Sequence, residues 1–143
     1  MTSDNIKELF IKGIDCSQVV AGAFSDELKL EPALLRKMGA CFGGGMGRGE
    51  TCGSYIAALM IIGLKYGHFS ENDEKQTSTD LYMLKHKFSK KFIEKYSSTM
   101  CRQLLGYDLS KPNEFNTALE SGRLLSFCPQ LTKDTIDILR EVL

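Results

Sequence analysis

The residues of this chain best suited to chemistry are its five cysteines, none of which belongs to a C-x-x-C pair. Cys52 follows a glycine-rich run at residues 43–49 and opens an apolar stretch with helical periodicity. A thiol at a helix start meets unpaired backbone N–H groups and the positive end of the helix dipole, and both favour the thiolate. The sequence therefore predicts thiol redox or metal chemistry, with the pKa of Cys52 below the ordinary thiol value of about 8.5.

Three other cysteines also lie at predicted helix starts: Cys16, Cys101 and Cys128, the last directly before Pro129. We expect these three and Cys52 to gather at one site, with Cys52 as the reactive thiolate and one of the others as its partner. Soft thiolate ligands would equally suit a metal ion or an iron–sulfur cluster. Cys41 follows the third predicted helix, and we expect it to be a buried filler elsewhere.

The glycine-rich run is a second candidate for chemistry. Successive backbone N–H groups can form an anion-binding nest, so we take as candidate cofactor-binding residues Gly44, Gly45, Gly47, Arg48 and Gly53. The run is not a phosphate-binding Walker loop, because no Gly-Lys-Ser/Thr follows, and no strand precedes it as a dinucleotide fingerprint requires. Glycines also permit a tight turn and a close helix approach, and the sequence leaves both roles open.

Length and composition indicate one domain over residues 1–143. Hydrophobic content of 43% and charged content of 25% are typical of globular proteins, and the zero formal charge gives no general attraction to nucleic acid. The longest apolar run, residues 55–64, is too short to span a membrane. No secretory signal is visible, so we expect a cytoplasmic protein with reduced cysteines.

Helical periodicity predicts an all-α bundle of about six to eight helices packed around a central apolar helix that starts near Cys52. Asp15 is the predicted N-cap of the second helix, and Thr51 that of the central helix. Pro32 and Pro112 suit the first position of two further helices. The last helix is predicted to begin at residue 126 or 128.

In the positions of four cysteines, combined with the glycine-rich run, the chain resembles a family of redox-active proteins named C_GCAxxG_C_C after its cysteine pattern. The resemblance covers nearly the whole chain and lies in five segments: residues 15–18 (DCSQ), 42–47 (FGGGMG), 51–53 (TCG) with the apolar helix to residue 67, 101–106 (CRQLLG), and Cys128. The central motif here reads Cys52-Gly53-Ser54-Tyr55-Ile56-Ala57, so serine replaces its alanine and alanine its second glycine. The resemblance implies redox activity and leaves the substrate open.

Three functions therefore stay open. The first is a thiol oxidoreductase that works with a redox protein or a small thiol. The second is an electron-transfer or binding protein that holds an iron–sulfur cluster or metal ion on Cys16, Cys52, Cys101 and Cys128. The third is a non-catalytic helical scaffold. No C-x-x-C-H motif is present, which excludes covalent haem attachment through it. The apolar central helix is compatible with a homodimer.

Overall fold

A computed structural model describes residues 1–72 and 76–143, and only the backbone of residues 76–79. Across these ranges the chain is all-α, as predicted, and the only β-type pairing is an isolated bridge between Thr51 and Met100. The α-helices are α1 (Ser3–Ile11), α2 (Cys16–Gly22), α3 (Ser25–Leu28), α4 (Pro32–Gly39), α5 (Gly53–Tyr66), α6 (Gln76–Tyr96), α7 (Cys101–Leu105), α8 (Pro112–Glu120) and α9 (Arg123–Val142). No helix within the described ranges is both long and apolar enough to cross a bilayer.

The described residues form ten helical elements, slightly more than the six to eight predicted. The glycine-rich run contributes one of them, a π-type turn at Gly45–Gly49. The predicted second helix contributes another, because it divides into α2 and α3. Lys29 ends α3 in the left-handed region, at φ 54°.

The central helix is α5, and α2, α6 and α9 pack around it. Its buried face consists largely of small residues, including Gly53, Ser54, Ala57 and Ala58, which let neighbouring backbones come close. Phe88 and Phe92 of α6 are fully buried beside it. The apolar character of this segment predicted a central helix, and α5 is indeed enclosed by three other helices.

Local chemistry sets several helix starts. Asp15 is the N-cap of α2, and its backbone N–H donates to Gln18 Oε1 at 2.9 Å. Pro32 and Pro112 occupy first helical positions, as predicted. The N-cap of α5 is Cys52 rather than Thr51, because Thr51 is drawn into the pairing with Met100.

The last helix corrects a prediction. It begins at Arg123, after Gly122 with φ 81°, so Cys128 and Pro129 lie inside it. Proline favours the first helical position, and inside a helix it removes one backbone hydrogen bond and disturbs the preceding turn; Pro129 nevertheless lies inside the helix and is buried. Three helix starts rather than four therefore carry a thiol.

Candidate functional site

Four of the five cysteines line one cavity of about 590 Å³, called here the thiol cavity. Cys52 and Cys101 are buried, whereas Cys16 and Cys128 are partly exposed. All five, which lie within the described residues, are free thiols and none is at disulfide-bonding distance from another. The structure thus brings together the four cysteines singled out from the sequence. Cys41 does not line the cavity and is exposed, so its predicted burial is wrong.

Cys16 and Cys52 are closely associated through the first turn of α5. A Cβ atom on Gly53 would lie 2.8 Å from Cys16 Sγ and 2.7 Å from the carbonyl oxygen of Phe42. The sulfur of Cys16 therefore packs on the backbone next to Cys52, and only glycine leaves room for it. Burial is the largest influence on the pKa of both thiols and raises it, and the nearby hydroxyl of Ser54 opposes this effect at each.

Ser54 is itself held by a buried partner from α9. Its hydroxyl oxygen lies 3.0 Å from Thr132 Oγ1, and both side chains are fully buried. When Thr132 donates to Ser54, the hydroxyl proton of Ser54 is free to point at a sulfur. The serine that replaces the family's alanine thus reaches both Cys16 and Cys52.

A short antiparallel ribbon joins Cys52 to Cys101. The backbone N–H of Cys52 donates to the carbonyl of Thr99 at 2.8 Å, and that of Cys101 donates to the carbonyl of Glu50 at 2.5 Å. The bridge between Thr51 and Met100 lies between these two bonds. The backbone therefore fixes the relative position of Cys52 and Cys101.

The glycine run shapes the cavity floor. Gly44, Gly45, Gly47 and Gly49 have φ between 64° and 67°, which confirms that the run uses conformations favouring glycine. Gly45 is also crowded, because a Cβ atom there would lie 2.8 Å from the Cβ of Cys101. Gly44, Gly45, Gly47 and Gly53 line the cavity, and their role in binding a ligand stays a prediction.

Arg48 does not join them. Its side chain is 74% exposed and forms a 3.6 Å ion pair with Glu50. It does not line the cavity, so the expected positive charge beside Cys52 is missing. The turn carries Arg48 outward while its glycines face inward.

The predicted low pKa of Cys52 is wrong in direction. Burial above all, together with the negative charge of Cys101, raises the pKa of Cys52 to about 11. The expected helix-start effect is present, since the N–H groups of Tyr55 and Ser54 lower the pKa, but burial outweighs it. Cys52 is therefore a protonated thiol at neutral pH.

The remaining cavity thiols are also protonated. Burial, followed by the charges of Cys52 and Asp15, raises the pKa of Cys16 to about 12. Burial and the charge of Cys16 raise the pKa of Cys101 to about 11. Burial and the charges of the other three cysteines raise the pKa of Cys128 well above its usual value, although Arg123 opposes this. Each thiolate therefore disfavours the others.

The rest of the cavity is mainly apolar. Its walls come from α1, the loop between α1 and α2, α7, the loop after α7, α8 and α9, with the apolar members Phe10, Ile11, Ile14, Leu104, Leu105, Leu109, Phe115, Leu119, Leu124, Leu125, Phe127 and Leu131. Sequence reasoning missed this wall and the polar pair of Ser54 and Thr132. Ser54 could have been found as a departure from the family motif, whereas the wall residues are spread over six segments.

The four cysteines were also expected to be able to hold a metal ion. Within the described ranges, no group of three or more His, Cys, Asp and Glu side chains is placed to do so. His68 and His86 are exposed. The side chains as positioned therefore do not fit a metal ion or cluster without movement of the thiols.

Comparison with known proteins identifies a matching protein family. The family described as "Putative redox-active protein (C_GCAxxG_C_C)" matches residues 14–142, which include every cysteine and the glycine run. No curated protein and no solved structure matches the chain.

Proposed function

The chain belongs to the C_GCAxxG_C_C family of redox-active proteins, and we propose that it acts as a thiol redox protein whose working pair is Cys16 and Cys52. The observation that carries the proposal is the gathering of four thiols in one cavity. Oxidation of the pair breaks two S–H bonds, forms one S–S bond and releases two electrons and two protons.

Two contacts support this choice of pair. Cys16 Sγ packs on Gly53, the neighbour of Cys52, and Ser54 hydrogen bonding acts on both sulfurs. The charge of Cys52 is also the strongest electrostatic influence on the pKa of Cys16. Cys101 is joined to Cys52 by the backbone ribbon and its charge acts on the pKa of Cys52, but within the described ranges neither the packing at Gly53 nor the hydroxyl of Ser54 links Cys101 or Cys128 to the proposed pair.

Disulfide formation requires the two thiols to approach. The Cα atoms of a disulfide lie within about 7 Å of each other, and the cavity thiols are free. Cys52 is fixed by the ribbon to Thr99, and the first turn of α2 is fixed by its capping box and by Ser17, whose buried hydroxyl donates to the carbonyl of Gly39 at 2.6 Å. The approach therefore falls on rotation of the two cysteine side chains.

Oxidation with diamide tests the proposal, because diamide accepts the two electrons and two protons that a dithiol releases. The remaining thiols are alkylated and the peptides mapped by mass spectrometry. We expect one intramolecular disulfide between Cys16 and Cys52, lost in Cys16→Ser and Cys52→Ser and retained in the control Cys41→Ser. A chain whose cavity thiols all stay reduced would contradict the function, and a bond between Cys52 and Cys101 would contradict the pair.

One observation favours the second candidate, a metal ion or iron–sulfur cluster on the same cysteines. The charge of at least one other cavity cysteine raises the pKa of each of the four thiols, so a bound cation would stabilise the thiolates together. Absorption between 300 and 500 nm after anaerobic incubation with iron and sulfide distinguishes the candidates. Charge-transfer bands lost in Cys101→Ser, a variant that keeps the proposed pair, would favour the cluster.

A further inference from the structure

The charge and polarity of the thiol cavity indicate which molecules can reach the thiols. The exposed apolar residues Ile11, Phe115 and Leu119 stand on its wall, at 66%, 40% and 43% exposure, so the cavity opens to solvent through an apolar mouth. Its volume of about 590 Å³ falls within the range of roughly 300–1,000 Å³ typical of small-molecule sites. The space therefore suits an organic molecule much larger than water.

Charged side chains are scarce in this lining. Among the described residues that line the cavity, none is lysine, arginine or histidine, and Asp15 is the one carboxylate. Arg123 lies behind the lining: its Nε and Nη2 donate to the carbonyls of Leu105 and Leu104 at 3.1 Å, its guanidinium lies 4.0 Å from the ring centroid of Phe127, and its charge acts on Cys128. An anionic substrate, such as a carboxylated small thiol or its disulfide, would lose its hydration without pairing with a cationic side chain in the lining.

We propose that the thiol cavity binds an uncharged, apolar quinone and that Cys16 and Cys52 reduce it. This inference rests on the proposed function, and it names the electron acceptor. The two S–H bonds break, one S–S bond forms, and the two electrons and two protons pass to the quinone, which becomes a hydroquinone.

The apolar surroundings of the thiols support this class of acceptor. Cys16 Sγ packs on Gly53 beside Cys52, and the rest of the lining is mainly apolar. Thiol–disulfide exchange would first create a thiolate in this desolvated place. A quinone takes up as many protons as electrons, so the reaction leaves the net charge of the cavity unchanged.

The experiment uses duroquinone, whose ring has no free position for thiol addition, and the reduced full-length protein under anaerobic conditions. We expect saturable reduction of one quinone per chain, with the loss of two thiols. Phe115→Lys places a cation in the apolar mouth and should lower the apparent affinity at least tenfold. The matched control is Phe69→Lys, because Phe69 is 92% exposed and does not line the cavity.

Failure of this inference can be separated from failure of the proposed function. If diamide forms the disulfide between Cys16 and Cys52 but duroquinone is reduced equally by Phe115→Lys and the wild type, or not at all, the quinone site is wrong and the dithiol stands. If diamide oxidises no cavity thiol, the proposed function is wrong. In that case, binding of duroquinone to the Cys16→Ser variant, monitored by tyrosine fluorescence, decides whether the cavity takes quinones. Saturable binding would support the quinone site, and its absence would contradict it. Oxidised glutathione that reacts faster than duroquinone would overturn the argument from charge.

Discussion

Gly45 and Gly47 form a matched pair for testing how the glycine turn supports the thiol cavity. They have nearly the same backbone conformation, with φ of 64° and 67°. A Cβ atom on Gly47 would meet nothing within 4 Å. On Gly45 it would lie 2.5 Å from the nitrogen of Glu50, and 2.8 Å from both the carbonyl oxygen of Glu50 and the Cβ of Cys101.

The expected costs follow from these distances. Alanine in the left-handed region costs about 1–2 kcal/mol in either variant. Gly45→Ala adds overpacking against backbone atoms that cannot rotate away, which costs about 1–3 kcal/mol more. We therefore expect the free energy of unfolding to fall by about 2–5 kcal/mol in Gly45→Ala and by about 1–2 kcal/mol in Gly47→Ala.

Urea unfolding followed by far-ultraviolet circular dichroism measures both values. Alkylation at fixed pH measures the accompanying exposure of Cys101, which should rise in Gly45→Ala because Glu50 accepts the backbone hydrogen bond of Cys101. Gly47→Ala should keep the wild-type labelling rate. Equal losses of stability in the two variants, with unchanged labelling in both, would refute the argument that Gly45 positions Cys101.

The other predictions concern charge and hydrogen bonding at the thiols. Ser54→Ala should slow alkylation of Cys16 and Cys52 at pH 8 about tenfold, because a hydrogen bond to a charged group is worth roughly 1.5 kcal/mol; equal rates would show that Ser54 stabilises neither thiolate. With reductant present, the free energy of unfolding should fall from about pH 9 towards pH 11, because the unfolded chain loses thiol protons that the folded chain, with the pKa of Cys52 at about 11, retains. Cys52→Ala should show a shallower decline in the same urea titrations, and an unchanged slope would contradict the raised pKa. Arg48→Ala should change stability by less than about 0.5 kcal/mol and leave cavity alkylation unaltered, whereas slower alkylation would restore the expected role of Arg48.

The features predictable from the sequence are those set by local chemistry. Asp15 caps α2, and Pro32 and Pro112 begin α4 and α8, because each acts within one turn of its own position. The grouping of the cysteines was also predictable, although its stated reason was partly wrong. Cys128 reaches the cavity from inside α9, not from a helix start.

The remaining features depend on tertiary packing. Proline favours the first turn of a helix, so local preference predicted the wrong start for α9, inside which Pro129 lies buried. The pKa of Cys52 depends on burial by several helices, a quantity that a local motif does not contain. The direction of the Arg48 side chain also depends on tertiary packing. The turn directs Arg48 to solvent, whereas Gly44, Gly45 and Gly47 line the thiol cavity.

The ribbon between residues 50–52 and 99–101 has a consequence for synthesis of the chain. It closes a loop of about fifty residues, whose closure costs on the order of 3 kcal/mol of chain entropy, and it cannot form until Thr99 and Cys101 have been made. At about 5–20 residues per second, several seconds pass between the synthesis of Cys52 and that of Cys128. During that interval Cys16 and Cys52 lack the helices that keep them protonated in the folded protein. The nascent chain is therefore the form in which these thiols are most open to oxidation.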